Sequence, residues 1–218
     1  MNLAIFDLDN TLLGGDSDHL WGEFLIEQGL VDGIFYQKEN NRFYEQYQSG
    51  SLDIAEFLDF SLKPLAENDL VTLSNLHQAF MAEKIEAIIL PKATALINKH
   101  QQKGDHALII TATNRFVTAP IAQRLGISTL IATDPELVDN RYTGKVSGTP
   151  CFQHGKVERL QQWLDETGHT LEESWFYSDS HNDIPLLSLV SHPIAVDPDA
   201  TLAQHAKNNH WDIISLRD

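Results

Sequence analysis

Leu3-Ala4-Ile5-Phe6-Asp7-Leu8-Asp9-Asn10-Thr11 is an apolar run of strand length that ends in two carboxylates and a hydroxyl. Strands covered on both faces read as continuous hydrophobic runs, so Leu3 to Phe6 is expected inside a parallel sheet. In an open α/β sheet, ligands collect beyond the carboxyl ends of the strands, where Asp7 and Asp9 would lie. Two residues apart on an extended chain, their side chains point the same way and can face one pocket.

Similar runs recur at 107–110, 129–132, 175–177, 193–196 and 212–215. Helix-length segments separate them at about 91–103, 114–125, 156–167, 182–189 and 198–208, punctuated by Gly104, Gly126 and Gly168. The alternation predicts an α/β protein with a parallel sheet. Residues 136–147 read instead as two short strands around Asp139-Asn140, a hairpin added to the main sheet. Residues 15–90 break the alternation: Leu20, Phe24 and Leu25, then Phe43, Tyr44 and Tyr47, then Phe57, Leu58 and Leu62 have helical spacing, with no credible strand. This predicts an all-helical cap at 15–90, inserted just after the Asp pair into a core formed by 1–14 and 91–218.

With 218 residues and 42% hydrophobic composition the chain can bury one substantial core and carry an inserted lid. No run approaches the roughly 18–20 apolar residues of a membrane span, and the start has no basic region followed by an apolar stretch. A cytoplasmic protein with no membrane partner is expected. Cys151 is the only cysteine, which excludes an intrachain disulfide and reads as a structural thiol. The formal charge of −16 argues against nucleic-acid binding, which needs clustered Lys and Arg. Residues 15–90 hold 14 acidic and 4 basic side chains, so a lid favouring a positively charged substrate group is one reading, and solvated helix faces the other.

Crowded together, Asp7 and Asp9 repel, which is resolved by a bound cation or by distinct acid and nucleophile roles. Asp179 and Asp183, after another strand, add hard oxygen ligands, and an all-oxygen site with room for phosphate selects Mg²⁺ over zinc or copper. Lys156 is the counter-charge such a site needs. Thr111 adds a hydroxyl ahead of the helix expected from Asn114, and Asn182 adds a neutral donor. Alone, an Asp-x-Asp is commonly a turn, Thr111 an ordinary strand end and Lys156 an exposed helix residue. Four such fragments in order, each at the expected sheet edge, point to a phosphate-transfer site. Among the ten histidines none makes a close metal-binding pair. His154, with Phe152, is the preferred candidate for touching substrate, while Trp21, Trp163, Trp175 and Trp211 read as core.

In these four elements, Asp7-x-Asp9-x-Thr11, Thr111, Lys156 and the Asp179 to Asp183 loop, the chain resembles the haloacid dehalogenase-like hydrolase superfamily. The helical insert resembles the cap of its phosphoserine phosphatase-like subfamily. The stretch from Phe6 to His19 is most similar to a bacterial group that includes histidinol-phosphatases. The resemblance implies a Rossmann-like core and a Mg²⁺-dependent phosphomonoesterase acting on a small-molecule phosphate ester. It implies Asp7 as nucleophile and Asp9 as acid/base. Asp7, the main-chain carbonyl of Asp9, Asp179 and Asp183 would serve the metal, and Thr111, Lys156 and Asn182 would hold phosphoryl oxygens. One departure is Ser178-Asp179-Ser180, where many relatives carry glycine.

Asp16 and Asp18 are expected to bind an ammonium or imidazolium, whereas the carboxylate of O-phosphoserine would need Arg42, the only arginine of the insert. That leans toward an amino alcohol phosphate such as histidinol phosphate, with O-phosphoserine second. A phosphorelay receiver also gathers acids, a Thr and a Lys, but carries its phosphorylated Asp on a later strand. A dehalogenase or carbon–phosphorus hydrolase of the same fold has less use for Asp9.

Overall fold

The computed structural model describes residues 2–217. Seven strands form one sheet: β1 (Leu3–Phe6), β2 (His106–Asn114), β3 (Thr129–Val138), β4 (Arg141–Ser147), β5 (Ser174–Ser178), β6 (His192–Val196) and β7 (Asp212–Ile214), in the spatial order β4-β3-β2-β1-β5-β6-β7. All neighbours pair in parallel except β3 with β4. The chain winds outward in both directions from β1, so the strand order reverses there and opens a crevice at the carboxyl end of β1, the usual ligand position in doubly wound sheets. Leu3 through Phe6 are wholly buried. Alternate side chains serve opposite faces: Ala4 and Phe6 join one apolar cluster, Leu3 and Ile5 the other.

Two expected boundaries move. The first arm of the hairpin is the continuation of β3 and no separate strand, since β3 runs unbroken to Val138 and turns through Asp139 and Asn140, at φ 48° and 60°, into β4. Two consecutive positive φ values are the geometry that a two-residue hairpin requires. The helix expected at 182–189 is a 3₁₀ turn, His181–Asp183, followed by a single turn, Ile184–Leu187. Ser180 caps the 3₁₀ turn, its hydroxyl accepting Asn182 N–H at 3.2 Å, and Pro185, which has no N–H, cannot donate back to the His181 carbonyl and so interrupts the ladder.

Between β1 and β2 the chain is helical: α1 (Ser17–Glu27), α2 (Gly33–Ser49), α3 (Ile54–Ser61), α4 (Lys63–Glu67), α5 (Leu70–Phe80), one π turn and one 3₁₀ turn, then α6 (Pro91–Gln102). A bridge between Leu13 and Ile89 marks where the excursion leaves and returns. Its first and last helices do not stand apart from the sheet. Trp21, Phe24 and Leu25 of α1 and Phe80 of α5 share one apolar cluster with Phe6, Ile109 and Val117. A second cluster, Leu58, Leu62, Leu65 and Leu73, packs against Tyr142 and Val146 of β4, so the hairpin buttresses the excursion from the side. α7 (Arg115–Arg124), α8 (His154–Thr167) and α10 (Ala200–Asn208) complete the layers, with the single-turn α9 at Ile184–Leu187. Trp21 is core, while Trp163, Trp175 and Trp211 are half-buried against the two sheet clusters. Among the described residues no helix is long and apolar enough to cross a membrane.

Candidate active site

The backbone of β1 delivers Asp7 to the sheet edge, where its N–H donates to the Tyr177 carbonyl of β5 at 2.9 Å. Lys156, the third residue of α8, is 2% exposed and reaches the same point: Nζ donates to Asp7 Oδ1 at 2.8 Å and to Asp183 Oδ2 at 2.9 Å, and lies 2.8 Å from Asp183 Oδ1. Thr11 closes the triangle. Its hydroxyl lies 3.3 Å from Asp7 Oδ2 and 3.1 Å from Asp179 Oδ1, and accepts the Asp179 N–H at 3.0 Å. Residues more than 140 positions apart in sequence thus share one hydrogen-bonded cluster.

Asp9 is held on both oxygens, by Ser17 N–H at 2.6 Å and by the Thr113 hydroxyl at 2.8 Å. Asp16 caps α1, one oxygen accepting from Asp18 N–H at 3.0 Å and His19 N–H at 2.9 Å. Asp18 has a weaker neighbour, Asn114 Nδ2 at 3.5 Å. Asp7, Asp9, Asp16 and Asp18 line one cavity with Thr111 and Thr113, and its other wall is aromatic: Phe43, Tyr44 and Tyr47 of α2, with Phe57 of α3.

The cluster is short of positive charge. Burial, reinforced by Asp183 and Asp9, pushes the Asp7 carboxyl up to about 7 against the pull of Lys156. Asp9 is likewise pushed up to about 7, by burial and then by Asp16. Burial, then Asp7 and Asp183, holds Asp179 well above the usual carboxylate range. Asp18 is raised well above it by burial and then Asp16 and Asp9. For Lys156 burial disfavours the charge, but Asp183 and Asp7 outweigh it and the ammonium is firmly retained.

Oxygen donors with excess negative charge suit a hard divalent cation, and Asp183 Oδ1 is buried without a hydrogen bond, 2.8 Å from the Lys156 ammonium. The donor set therefore fits such an ion in kind. Among the described residues no three His, Cys, Asp or Glu side chains stand ready as a finished cage, and oxygens of Asp7, Asp179 and Asp183 accept from Lys156 and Thr11.

Several expected positions are placed differently. Thr111 is not at a strand end: β2 continues to Asn114 through a register shift after Ile110, and Asn114 caps α7 by accepting Val117 N–H at 3.2 Å. The Thr111 hydroxyl accepts Thr113 N–H at 3.2 Å. Asn182, 3% exposed, accepts Gln153 Nε2 at Oδ1 over 2.9 Å and gives one of the two Nδ2 hydrogens to the Tyr47 carbonyl at 3.2 Å, which leaves the second as a donor. Arg42 is drawn away from the cavity by Glu39 and Glu56, with its guanidinium 4.0 Å from the Phe43 ring centre. His154 is exposed at the start of α8, and Phe152 is buried with its ring 6.1 Å from Tyr47; neither lines the cavity. Cys151 is buried and its thiol pushed up to about 12 by burial, in keeping with a structural role.

Thr113, Ser17, Tyr44 and Tyr47 belong to the site without a signal read from the sequence, while Thr11, part of the first motif, gains its role as the hydroxyl between Asp7 and Asp179. Thr113 follows from Thr111, since residues two apart on a strand face the same side.

The haloacid dehalogenase-like hydrolase family model matches residues 4–188. A histidinol-phosphatase of Neisseria meningitidis serogroup C (strain 8013) is 48% identical over 220 residues, which cover 99% of each chain. A crystal structure of a protein with unknown function from Bordetella pertussis Tohama I superposes with a TM-score of 0.93 at 43% identity, covering 99% of this chain and 98% of that one. A substrate-bound phosphoserine phosphatase complex shares the fold at a TM-score of 0.72 and 18% identity, covering 99% and 92%.

Proposed function

The chain belongs to the haloacid dehalogenase-like hydrolase family and is a phosphoric monoester hydrolase, and from that premise we propose that it works through an aspartyl-phosphate on Asp7. The observation that carries this reading is the Lys156 ammonium 2.8 Å from Asp7, with Asp9 on the same strand end. A carboxylate oxygen of Asp7 attacks phosphorus, the phosphorus–ester oxygen bond breaks, and the leaving alkoxide takes its proton from Asp9. Asp9 then takes a proton from water as that water attacks phosphorus, which frees the Asp7 carboxylate and inorganic phosphate. Its carboxyl, pushed up to about 7, can both give and accept a proton near neutrality. Lys156, Thr111 and Asn182 hold the transferring oxygens, and residues 15–90 act as the cap.

Mg²⁺ would be held by Asp7, the main-chain carbonyl of Asp9 and Asp179, with Asp183 beside them, and would neutralise phosphoryl charge. Binding there would offset the burial, and after it the mutual repulsion, that raise Asp7 and Asp179. Millimolar Mg²⁺ is therefore expected to raise the melting temperature by roughly 3–6 °C, and Asp179→Asn to remove most of that shift. An equal shift in the variant would place the ion elsewhere.

For substrate, we favour an amino alcohol phosphate bearing an ammonium or imidazolium, such as histidinol phosphate, with O-phosphoserine second. Asp16 and Asp18 line the cavity, no Lys or Arg lines it among the described residues, and Arg42 is engaged by Glu39 and Glu56. A substrate carboxylate would meet acids, whereas a planar cation would meet acids and aromatic faces. The 48% identical relative is named a histidinol-phosphatase, which agrees. In a phosphate-release panel with Mg²⁺, histidinol phosphate should exceed O-phosphoserine and sugar phosphates in kcat/KM. Asp16→Asn and Asp18→Asn should each cost about 10–100-fold on it, with a much smaller effect on p-nitrophenyl phosphate. Equal losses on both compounds would remove these acids from specificity.

A further inference from the structure

We propose that Gln153 is a positioning residue for the reaction, fixing the Asn182 amide so that its amino end, and not its carbonyl, is presented toward the cap and the substrate. The inference rests on the reading of Asn182 as a donor to phosphoryl oxygens. Gln153 itself touches no reacting atom in this scheme.

Its backbone is the first sign. Gln153 has φ 48° and ψ −117°, the mirror-image dihedrals that glycine normally supplies at the first central position of a tight turn. Gly155 N–H closes that turn on the Phe152 carbonyl at 2.8 Å. Gly155 is itself obligatory, since a Cβ there would lie 2.0 Å from the Pro150 carbonyl oxygen. A glutamine kept where glycine fits is backbone strain, and such residues persist where surrounding structure and function demand them.

The side chain shows what is gained. Gln153 Nε2 donates to Asn182 Oδ1 at 2.9 Å, and Asn182 Nδ2 donates to the Tyr47 carbonyl at 3.2 Å. A main-chain carbonyl only accepts, so the amide must turn its nitrogen to Tyr47 and its oxygen to a donor, and Gln153 is that donor. Tyr47 belongs to the cavity wall, and the loop that carries Asn182 also carries Asp179 and Asp183. The same turn launches α8, which brings in Lys156. Gln153 therefore links the phosphate-holding amide, the lysine helix and the cap through two hydrogen bonds.

The test is a double-mutant cycle on the intact protein with Mg²⁺ and p-nitrophenyl phosphate. Gln153→Glu keeps the shape but presents an acceptor to Asn182 Oδ1. Gln153→Gly removes the amide and relaxes the backbone. Both are expected to lower kcat/KM about tenfold, mainly through kcat, and the glycine variant should melt at the same or a higher temperature. Asn182→Ala should lower kcat/KM as well, and in its background either Gln153 change should cost less than about twofold. Full activity of both Gln153 variants, or a tenfold loss that persists without Asn182, would overturn the inference. A wild-type rate in Asn182→Ala would instead refute the reading of Asn182, and the inference with it.

Discussion

Asp7→Asn is expected to lower turnover by about 10⁴-fold or more while leaving the protein folded. The amide has the size of the carboxylate but is a very poor nucleophile, so no acyl phosphate forms. The fold should tolerate the change because the Asp7 charge is costly where it sits, as its carboxyl raised by burial indicates. The Asn carbonyl can still accept from Lys156, and Asp183 continues to neutralise the ammonium. A melting temperature within a few degrees of wild type, together with lost phosphate release, is the expected pair of results. Wild-type rates in this variant would refute the nucleophile assignment.

Lys156→Met should damage both stability and activity. Lys156 is 2% exposed, and its removal leaves Asp7 and Asp183, both buried, facing each other with no counter-charge. Removing one partner of a buried ion pair typically costs ~3–5 kcal/mol, far more than an exposed pair contributes. The rate of phosphate release should fall by roughly 10³-fold, because no other described Lys or Arg side chain is seen beside Asp7. Adding Asp183→Asn to Lys156→Met should restore much of the stability, by removing one unpaired acid, without restoring activity. Urea denaturation and phosphate release on the single and double variants separate the two losses, and a Lys156→Met protein as stable as wild type would contradict the buried-pair account.

Much of the architecture is legible in local pattern because the pattern is what folds. Leu3 to Phe6 is apolar throughout and lies at the centre of the sheet, and Asp139-Asn140 can take the two positive φ values of the hairpin. The site acids were legible for a related reason, since each follows a strand and a parallel sheet gathers strand ends. What depends on distant partners was not. Arg42 looked available, although Glu39 at i−3 was a visible competitor; the second, Glu56, comes from another helix. Phe43, Tyr44 and Tyr47 read as a packing stripe, and only the placement of α2 over the sheet edge turns part of it into a cavity wall. The helix expected at 182–189 shortens to a 3₁₀ turn and one α turn, since Pro185 has no N–H to give back to the His181 carbonyl. Gln153 gave no warning at all, since a strained backbone has no signature in a single sequence. The receiver alternative loses its footing in the family match, and chain order had already placed the reactive acid on the first strand.

The claim that most depends on Asp7 can be measured by its covalent product. With Mg²⁺ and a substrate labelled in the phosphoryl group, rapid acid quench during turnover followed by proteolysis and peptide mapping should place the label on the segment that contains Asp7, and Asp7→Asn should carry none. Label on another segment, or turnover with no labelled protein at any quench time, would contradict the account.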